Sequence, residues 1–210
     1  MPFQNRVTPF GELVATPARG TLTGNRGCLH NRQRVLTRRR WTTRAWIACL
    51  LEFRGRHREI MTPGRWTELF FLDEATAFAA GHRPCGECRR QDYVRFKRLW
   101  CQANGGDAAA PIYPVDDHLH EERIPRPRTT WQAALDGLPD GTMWLEGDDV
   151  WVVAGERIGR WTLSGYQDLR QRPAGRQVSV LTPASLVSSF SAGYRPAIHS
   201  TLEDPNRASS

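Results

Sequence analysis

Gly81-His82-Arg83-Pro84-Cys85-Gly86-Glu87-Cys88-Arg89-Arg90 carries a C-x-x-C pair with a glycine inside it and a proline just before it. Two thiolates reach one ion only if the backbone between them curls tightly, and Gly86 permits that curl. A pair so spaced, in a chain with no secretion signal at its start, points to a metal ligand set rather than to a disulfide. The odd number of cysteines (Cys28, Cys49, Cys85, Cys88 and Cys101) argues the same way. A zinc knuckle is the expectation.

On the N-terminal side of the knuckle, Asp73 is suited to cap a helix, Glu74 to Ala80 is alanine-rich, and Gly81 is placed to end the helix as its left-handed residue. On its C-terminal side Tyr93, Phe96 and Trp100 fall on one helical face. Further out, short strands separated by turns are expected over Phe3–Thr23, and a buried strand over Trp46–Phe53 with Cys49 as an inert core thiol. Asn104 to Pro111 reads as a linker, followed by a short helix over Val115 to Arg123. Beyond it, strands are expected at Met143–Leu145, Val150–Val153, Arg157–Trp161 and Gln177–Leu181, then a helix stopped by Gly193. Trp144, Trp151 and Trp161 are expected in the core. The fold class is α+β: a small zinc-knuckle module with an Arg-rich insertion (1–103), a linker with a short polar helix (104–128), a β-rich region (129–200) and a disordered tail (201–210).

The composition, 40% hydrophobic and 24% charged, is that of a globular protein. No run is apolar and long enough for a membrane span or a signal peptide, so a cytoplasmic protein is expected. The net charge is +7, and of the 29 basic residues only Lys97 is lysine. An arginine-favouring genome explains part of that bias. The clusters invite more: Arg32, Arg34, Arg38, Arg39, Arg40 and Arg44 in one segment, Arg54, Arg56 and Arg58 in a second, Arg89 and Arg90 beside the knuckle. A guanidinium binds phosphate bidentately, and interleaved Trp41, Trp46 and Phe53 suit base stacking. The partner expected is nucleic acid, DNA before RNA.

The segment Phe71 to Cys88, with its aromatic strand end, acidic cap, alanine-rich helix and Gly-x-Arg-Pro-Cys-x-x-Cys, resembles the Ada-type metal-binding domain of methylphosphotriester repair proteins. His82 stands where that family usually has an aromatic. The resemblance implies that Cys85 and Cys88 are the second pair of zinc thiolates, and it implies a role in DNA repair or regulation. The family's upstream cysteine pair, one member of which accepts a methyl group, has no counterpart here. Cys28 and His30, on a glycine-flanked turn, are the expected partners of Cys85 and Cys88, with His82 and His57 as alternatives for the nitrogen ligand.

A second polar group, Asp116-Asp117-His118-Leu119-His120-Glu121-Glu122, puts Asp116 and His120 on one helical face at i, i+4. A carboxylate that orients an imidazole makes a candidate general base, which keeps a metal-dependent nuclease or other phosphate-directed hydrolase open as a second reading. A structural zinc domain for protein contacts is a third. Phosphate-loop, dinucleotide-binding and nucleophile-elbow motifs are absent.

Overall fold

The computed structural model describes residues 1–55 and 59–203. It is α+β, built on two six-stranded sheets with four helices. The N-terminal sheet contains β1 (Gln4–Val7), β2 (Leu13–Ala15), β3 (Leu22–Asn25), β4 (Ile47–Leu50), β5 (Leu69–Phe71) and β6 (Arg83–Pro84), in the order β2-β1-β5-β3-β4-β6. The C-terminal sheet contains β7 (Trp131–Ala134), β8 (Met143–Glu146), β9 (Asp149–Ala154), β10 (Arg157–Thr162), β11 (Gly165–Gln171) and β12 (Gln177–Val180), in the order β11-β10-β9-β8-β12-β7. All of its ladders are antiparallel. No described helix is long and apolar enough to cross a membrane.

Helix α1 (Glu74–Ala79) is the joint of the molecule, and all six of its residues are buried. A helix covered on every side keeps its polar side chains, here Glu74 and Thr76, only with hydrogen-bond partners. Ala77 packs into the core of the N-terminal sheet with Val7, Leu69 and Phe71. Ala75 and Ala79 pack with Met143, Val152 and Tyr166 of the C-terminal sheet. Phe78 enters a third cluster with Phe96, Trp100, Leu119 and Phe190, drawn from the remaining helices α2 (Arg90–Asn104), α3 (Tyr113–Arg123) and α4 (Ala184–Ser191).

The ends of α1 follow from its sequence. Asp73 caps it, its Oδ1 accepting from the Thr76 amide at 2.8 Å and from the Thr76 hydroxyl at 2.7 Å. Gly81 adopts φ +84, its amide donates to Phe78 O at 2.7 Å, and the His82 amide donates to Ala77 O at 2.9 Å. That pair of bonds closes a helix with a left-handed glycine. A side chain at Gly81 would also strike Arg123, whose Cδ would lie 2.6 Å from the new carbon.

The two acids at the start of α1 hold distant parts of the chain. Asp73 Oδ2 accepts from Tyr166 Oη at 2.7 Å and from the His199 amide at 2.9 Å. Glu74 accepts from Arg89 Nη2 at 2.5 Å, Tyr194 Oη at 2.7 Å and the Ala197 amide at 2.9 Å. Buried carboxylates need such partners, and here the partners fasten the C-terminal segment over α1.

The expected linker, 104–111, is mostly exposed, and the helix expected after it joins the core. α2 runs to Asn104 and stops at Gly105 (φ +78), and α3 then returns Val115 and Leu119 to the helical cluster. The expected disorder from residue 201 does not begin there: Thr201 and Leu202 are buried, and Thr201 Oγ1 accepts from the Tyr166 amide at 2.8 Å. Residues 204–210 lie outside the described residues. Trp144 and Trp151 face each other across β8 and β9 and stack in the core with centroids 6.2 Å apart. Trp161 is half-buried and donates to Thr76 Oγ1 at 3.0 Å.

Candidate metal centre and its basic surroundings

After Gly81 the chain leaves α1 as β6 and pairs in parallel with β4, Ile47 opposite Arg83 and Ala48 opposite Pro84. The Arg83 amide donates to Trp46 O at 3.0 Å and the Cys85 amide to Ala48 O at 2.9 Å. Pro84, which has no N–H, is tolerated because β6 lies at the sheet edge. Continued by one residue, this register sets Cys85 beside Cys49. The sulfurs of Cys49, Cys85 and Cys88 lie within 4.8 Å of one another, close enough to hold one metal ion. Cys49 is thus a member of the cluster and not the inert core thiol expected.

The polar groups around the sulfurs favour a thiolate at Cys85. The Glu87 amide donates to Cys85 Sγ at 3.4 Å. The Cys49 thiol hydrogen-bonds to Cys85 and, with the Cys88 and Glu87 amides, holds the Cys85 thiol down at about 5 against the opposing effect of burial. The Cys49 thiol is pushed up by that same hydrogen bond and by burial. Burial pushes Cys88 up too, while the Leu50 amide works the other way. Soft sulfur donors supported by amide N–H groups fit a thiophilic metal ion.

Cys28 and His30 are not brought into this cluster. The His30 ring is engaged elsewhere: Nδ1 meets Thr67 Oγ1 at 2.7 Å and Nε2 meets Thr62 O at 3.2 Å. Cys28 Sγ contacts the His30 carbonyl at 3.6 Å. His82 is fully buried between Trp46 and Phe71, with ring centroids 5.0 and 4.7 Å away, and neither ring nitrogen has a hydrogen-bond partner. His57, the remaining alternative, lies outside the described residues with Arg56 and Arg58.

Asp116 and His120 are both buried on α3, but no hydrogen bond joins them. Asp116 receives both arms of a guanidinium, Arg83 Nε to Oδ1 and Nη2 to Oδ2, each at 2.7 Å. That bidentate pair fixes α3 against β6, two residues before Cys85. The His120 ring packs edge-on against Trp41 at 4.4 Å, and burial, with Arg123 and Arg44 adding to it, pushes its pKa down. The pair is a packing device and lacks the geometry of a general base.

The arginines divide into three sets. Arg38, Arg39 and Arg40 form an exposed run beside half-exposed Trp41, and no carboxylate among the described residues pairs with Arg38 or Arg39. Arg54 lies exposed over the Phe53 ring and Arg90 over Tyr93. Others are engaged: Arg44 pairs with Asp117 at 2.7 Å, and Arg89, expected at a nucleic-acid surface, is 7% exposed and bound to Glu74 and Asp92. The third set is buried (Arg26, Arg123) or half-buried (Arg128). Arg26 and Arg123 flank the Trp46 ring at 4.6 and 4.3 Å, and Arg128 donates to Ala79 O at 2.8 Å. Among known proteins the chain finds no counterpart: no family model, no curated protein and no solved structure matches it.

Proposed function

We propose that this chain is a zinc-stabilised nucleic-acid-binding protein of the reducing cytoplasm, acting in DNA repair or regulation, with a knuckle akin to the Ada type. The observation that carries the reading is the position of Cys49. It lies on β4, the strand that directly continues the arginine-rich segment 38–44. An ion held by Cys49, Cys85 and Cys88 ties β4 to the knuckle, because ligand binding and local folding are one equilibrium. Zinc is the ion that a tetrahedral, sulfur-rich, redox-inert structural site selects. Its contribution is to hold the base of the basic segment in place. Exposed Arg38 and Arg39, free of carboxylates and next to Trp41, support phosphate contact with stacking.

The test is binding of labelled duplex DNA, single-stranded DNA and RNA as a function of salt. Affinity should fall linearly on a log–log plot, since phosphate contacts release counterions. Arg38→Ser with Arg39→Ser, which leaves Arg40 on its Ile124 carbonyl, should weaken binding to all sequences alike and lower the slope by about 1.8. Absence of binding at low salt, or an unchanged slope in the double variant, refutes the proposal. The rival is hydrolysis at the metal. Three thiols among the described residues leave one tetrahedral position for water, and turnover of a phosphodiester by the zinc-loaded protein would establish that reading instead.

A further inference from the structure

The parallel pairing of β4 with β6 does more than gather three thiols; it sets two of them side by side. Ala48 stands opposite Pro84, so the next residues on the two strands, Cys49 and Cys85, are neighbours in register, and the Cys85 amide donates to Ala48 O at 2.9 Å. Neighbouring strands run about 4.8 Å apart, and residues in register send their side chains to the same face. A disulfide needs Cα atoms about 4.4–6.8 Å apart. The pair meets that span, and its sulfurs, within 4.8 Å of each other, already share a hydrogen bond.

Cys88 is placed differently. It lies beyond the turn that starts at Cys85, and its sulfur takes the Leu50 amide, whereas the Cys85 sulfur takes the Glu87 amide. Closing Cys85 on Cys88 would disturb both of those contacts, while closing it on Cys49 disturbs one and follows a strand pairing that already exists. Cys49 is half-buried, which gives a small oxidant access to the pair. Cys28 and Cys101 are not in the cluster.

We propose that hydrogen peroxide oxidises the centre to a disulfide between Cys49 and Cys85, which replaces the ion as the tie between β4 and β6. One sulfur attacks a peroxide oxygen; the O–O bond breaks, a sulfenic acid forms and the other oxygen leaves as water. The second sulfur then attacks the sulfenic sulfur, the S–O bond breaks, a second water leaves and the S–S bond closes. Two electrons pass from the two sulfurs to the peroxide. The two protons that the waters need come from the thiols, or from solvent where an ion holds the sulfurs deprotonated.

With two of the three thiolates consumed, Cys88 is left as a lone donor and the ion departs. The tie stays. Ion and disulfide both join residues more than thirty positions apart, and a covalent link across so long a loop constrains the unfolded chain. The centre thus has a closed form for reducing conditions, a closed form for oxidising conditions, and an open form that is reduced and without metal. Only the identity of the released ion rests on the zinc reading.

The experiment treats the reduced, zinc-loaded full chain with hydrogen peroxide, blocks the remaining thiols with an alkylating reagent and digests with trypsin. Arg54 and Arg65 stand between Cys49 and Cys85, whereas no arginine or lysine separates Cys85 from Cys88. The proposed bond therefore appears by mass spectrometry as two peptides joined, and a C-x-x-C bond as one peptide closed on itself. Joined peptides are expected, with zinc released in step to a chromophoric chelator, Cys28, Cys88 and Cys101 alkylated, and a thiol reductant reversing the bond. The urea midpoint of the oxidised, metal-free protein should lie about 1–2 M above that of the reduced, metal-free protein. Cys88→Ser keeps the pair and should still give joined peptides; Cys49→Ser should abolish the midpoint shift. Predominance of the internally closed peptide, oxidation to sulfinic acid without a disulfide, or a midpoint unmoved by oxidation overturns the proposal. Joined peptides from a protein that holds no zinc leave the disulfide standing and refute the zinc reading, and zinc binding without joined peptides does the reverse.

Discussion

Replacing His82 with phenylalanine should stabilise the protein, and more so in mild acid. The ring is fully buried among Trp46, Phe71 and the carbons of α1, with both nitrogens unpartnered. The Ala77 carbonyl raises its pKa slightly but does not meet hydrogen-bond geometry with either nitrogen. An unsatisfied buried polar group costs about 1–3 kcal/mol, and the neutral imidazole has one donor and one acceptor. The larger phenyl ring returns part of that gain through overpacking, about 1–2 kcal/mol. A net gain of about 2 kcal/mol at pH 7.5 is expected. Burial, with Arg26, Arg123 and Arg128 adding to it, holds the folded-state pKa well below the usual histidine range. The unfolded chain, with a pKa of about 6.5, therefore binds a proton that the folded chain refuses. Stability from this residue is full above that value and declines as pH falls below it. Between pH 7.5 and 5.5 the loss is about 1.4 kcal/mol, and His82→Phe does not suffer it. Urea unfolding followed by tryptophan fluorescence, in buffer free of phosphate and sulfate, should place the two midpoints about 1 M apart at pH 7.5 and nearer 1.7 M apart at pH 5.5, for a slope of about 2 kcal/mol/M. Terms common to both proteins cancel in the difference. Parallel pH profiles, or a variant less stable at both values, would refute the reasoning.

Two further outcomes test the centre and the joint. In the cobalt-substituted protein, Cys49→Ser should remove about one third of the thiolate-to-metal charge-transfer absorption, one sulfur of three, whereas Cys28→Ser should leave it unchanged; the opposite pattern would return Cys28 to the site. Glu74→Ala strips partners from the Arg89 guanidinium, the Tyr194 hydroxyl and the Ala197 amide at once, so denaturant unfolding should register a loss of about 3–5 kcal/mol, and a loss below about 1 kcal/mol would show that the buried network does not hold the C-terminal segment.

The local signals were legible and the distant ones were not. Asp73 as a cap, Gly81 as a stop, the β8–β9 turn and the stop at Gly193 all follow from residues within one or two turns of each other. The third thiol did not, because it depends on parallel pairing between β4 and β6, segments more than thirty residues apart. A signal was nevertheless present. Trp46 and Ala48 are buried, and side chains alternate along a strand, so Cys49 falls on the face opposite to them. The expectation of a buried strand over Trp46–Phe53, with Cys49 in the core, passed over that alternation. The Asp116–His120 spacing was real but its meaning was settled by Arg83, which reaches Asp116 from β6. Likewise Arg89 looks like its exposed neighbour Arg90 in sequence, and only tertiary structure turns it inward to Glu74.

The bonds made by Asp73 and Glu74 also set an order of events during biosynthesis. Their partners Tyr166, Tyr194, Ala197 and His199 lie 93 to 126 residues downstream. While those residues are still inside the ribosome, α1 has its cap and its stop but two carboxylates without their hydroxyl and amide donors. The nascent N-terminal sheet therefore emerges with its central helix uncovered on the side that β8 to β11 later close. Contacts of such long range are slow to form, and the surface left open meanwhile is the kind that chaperones bind. Maturation of the thiol cluster, which depends only on residues up to 88, can precede that closure, so an ion captured early would steady the unfinished half until the rest arrives.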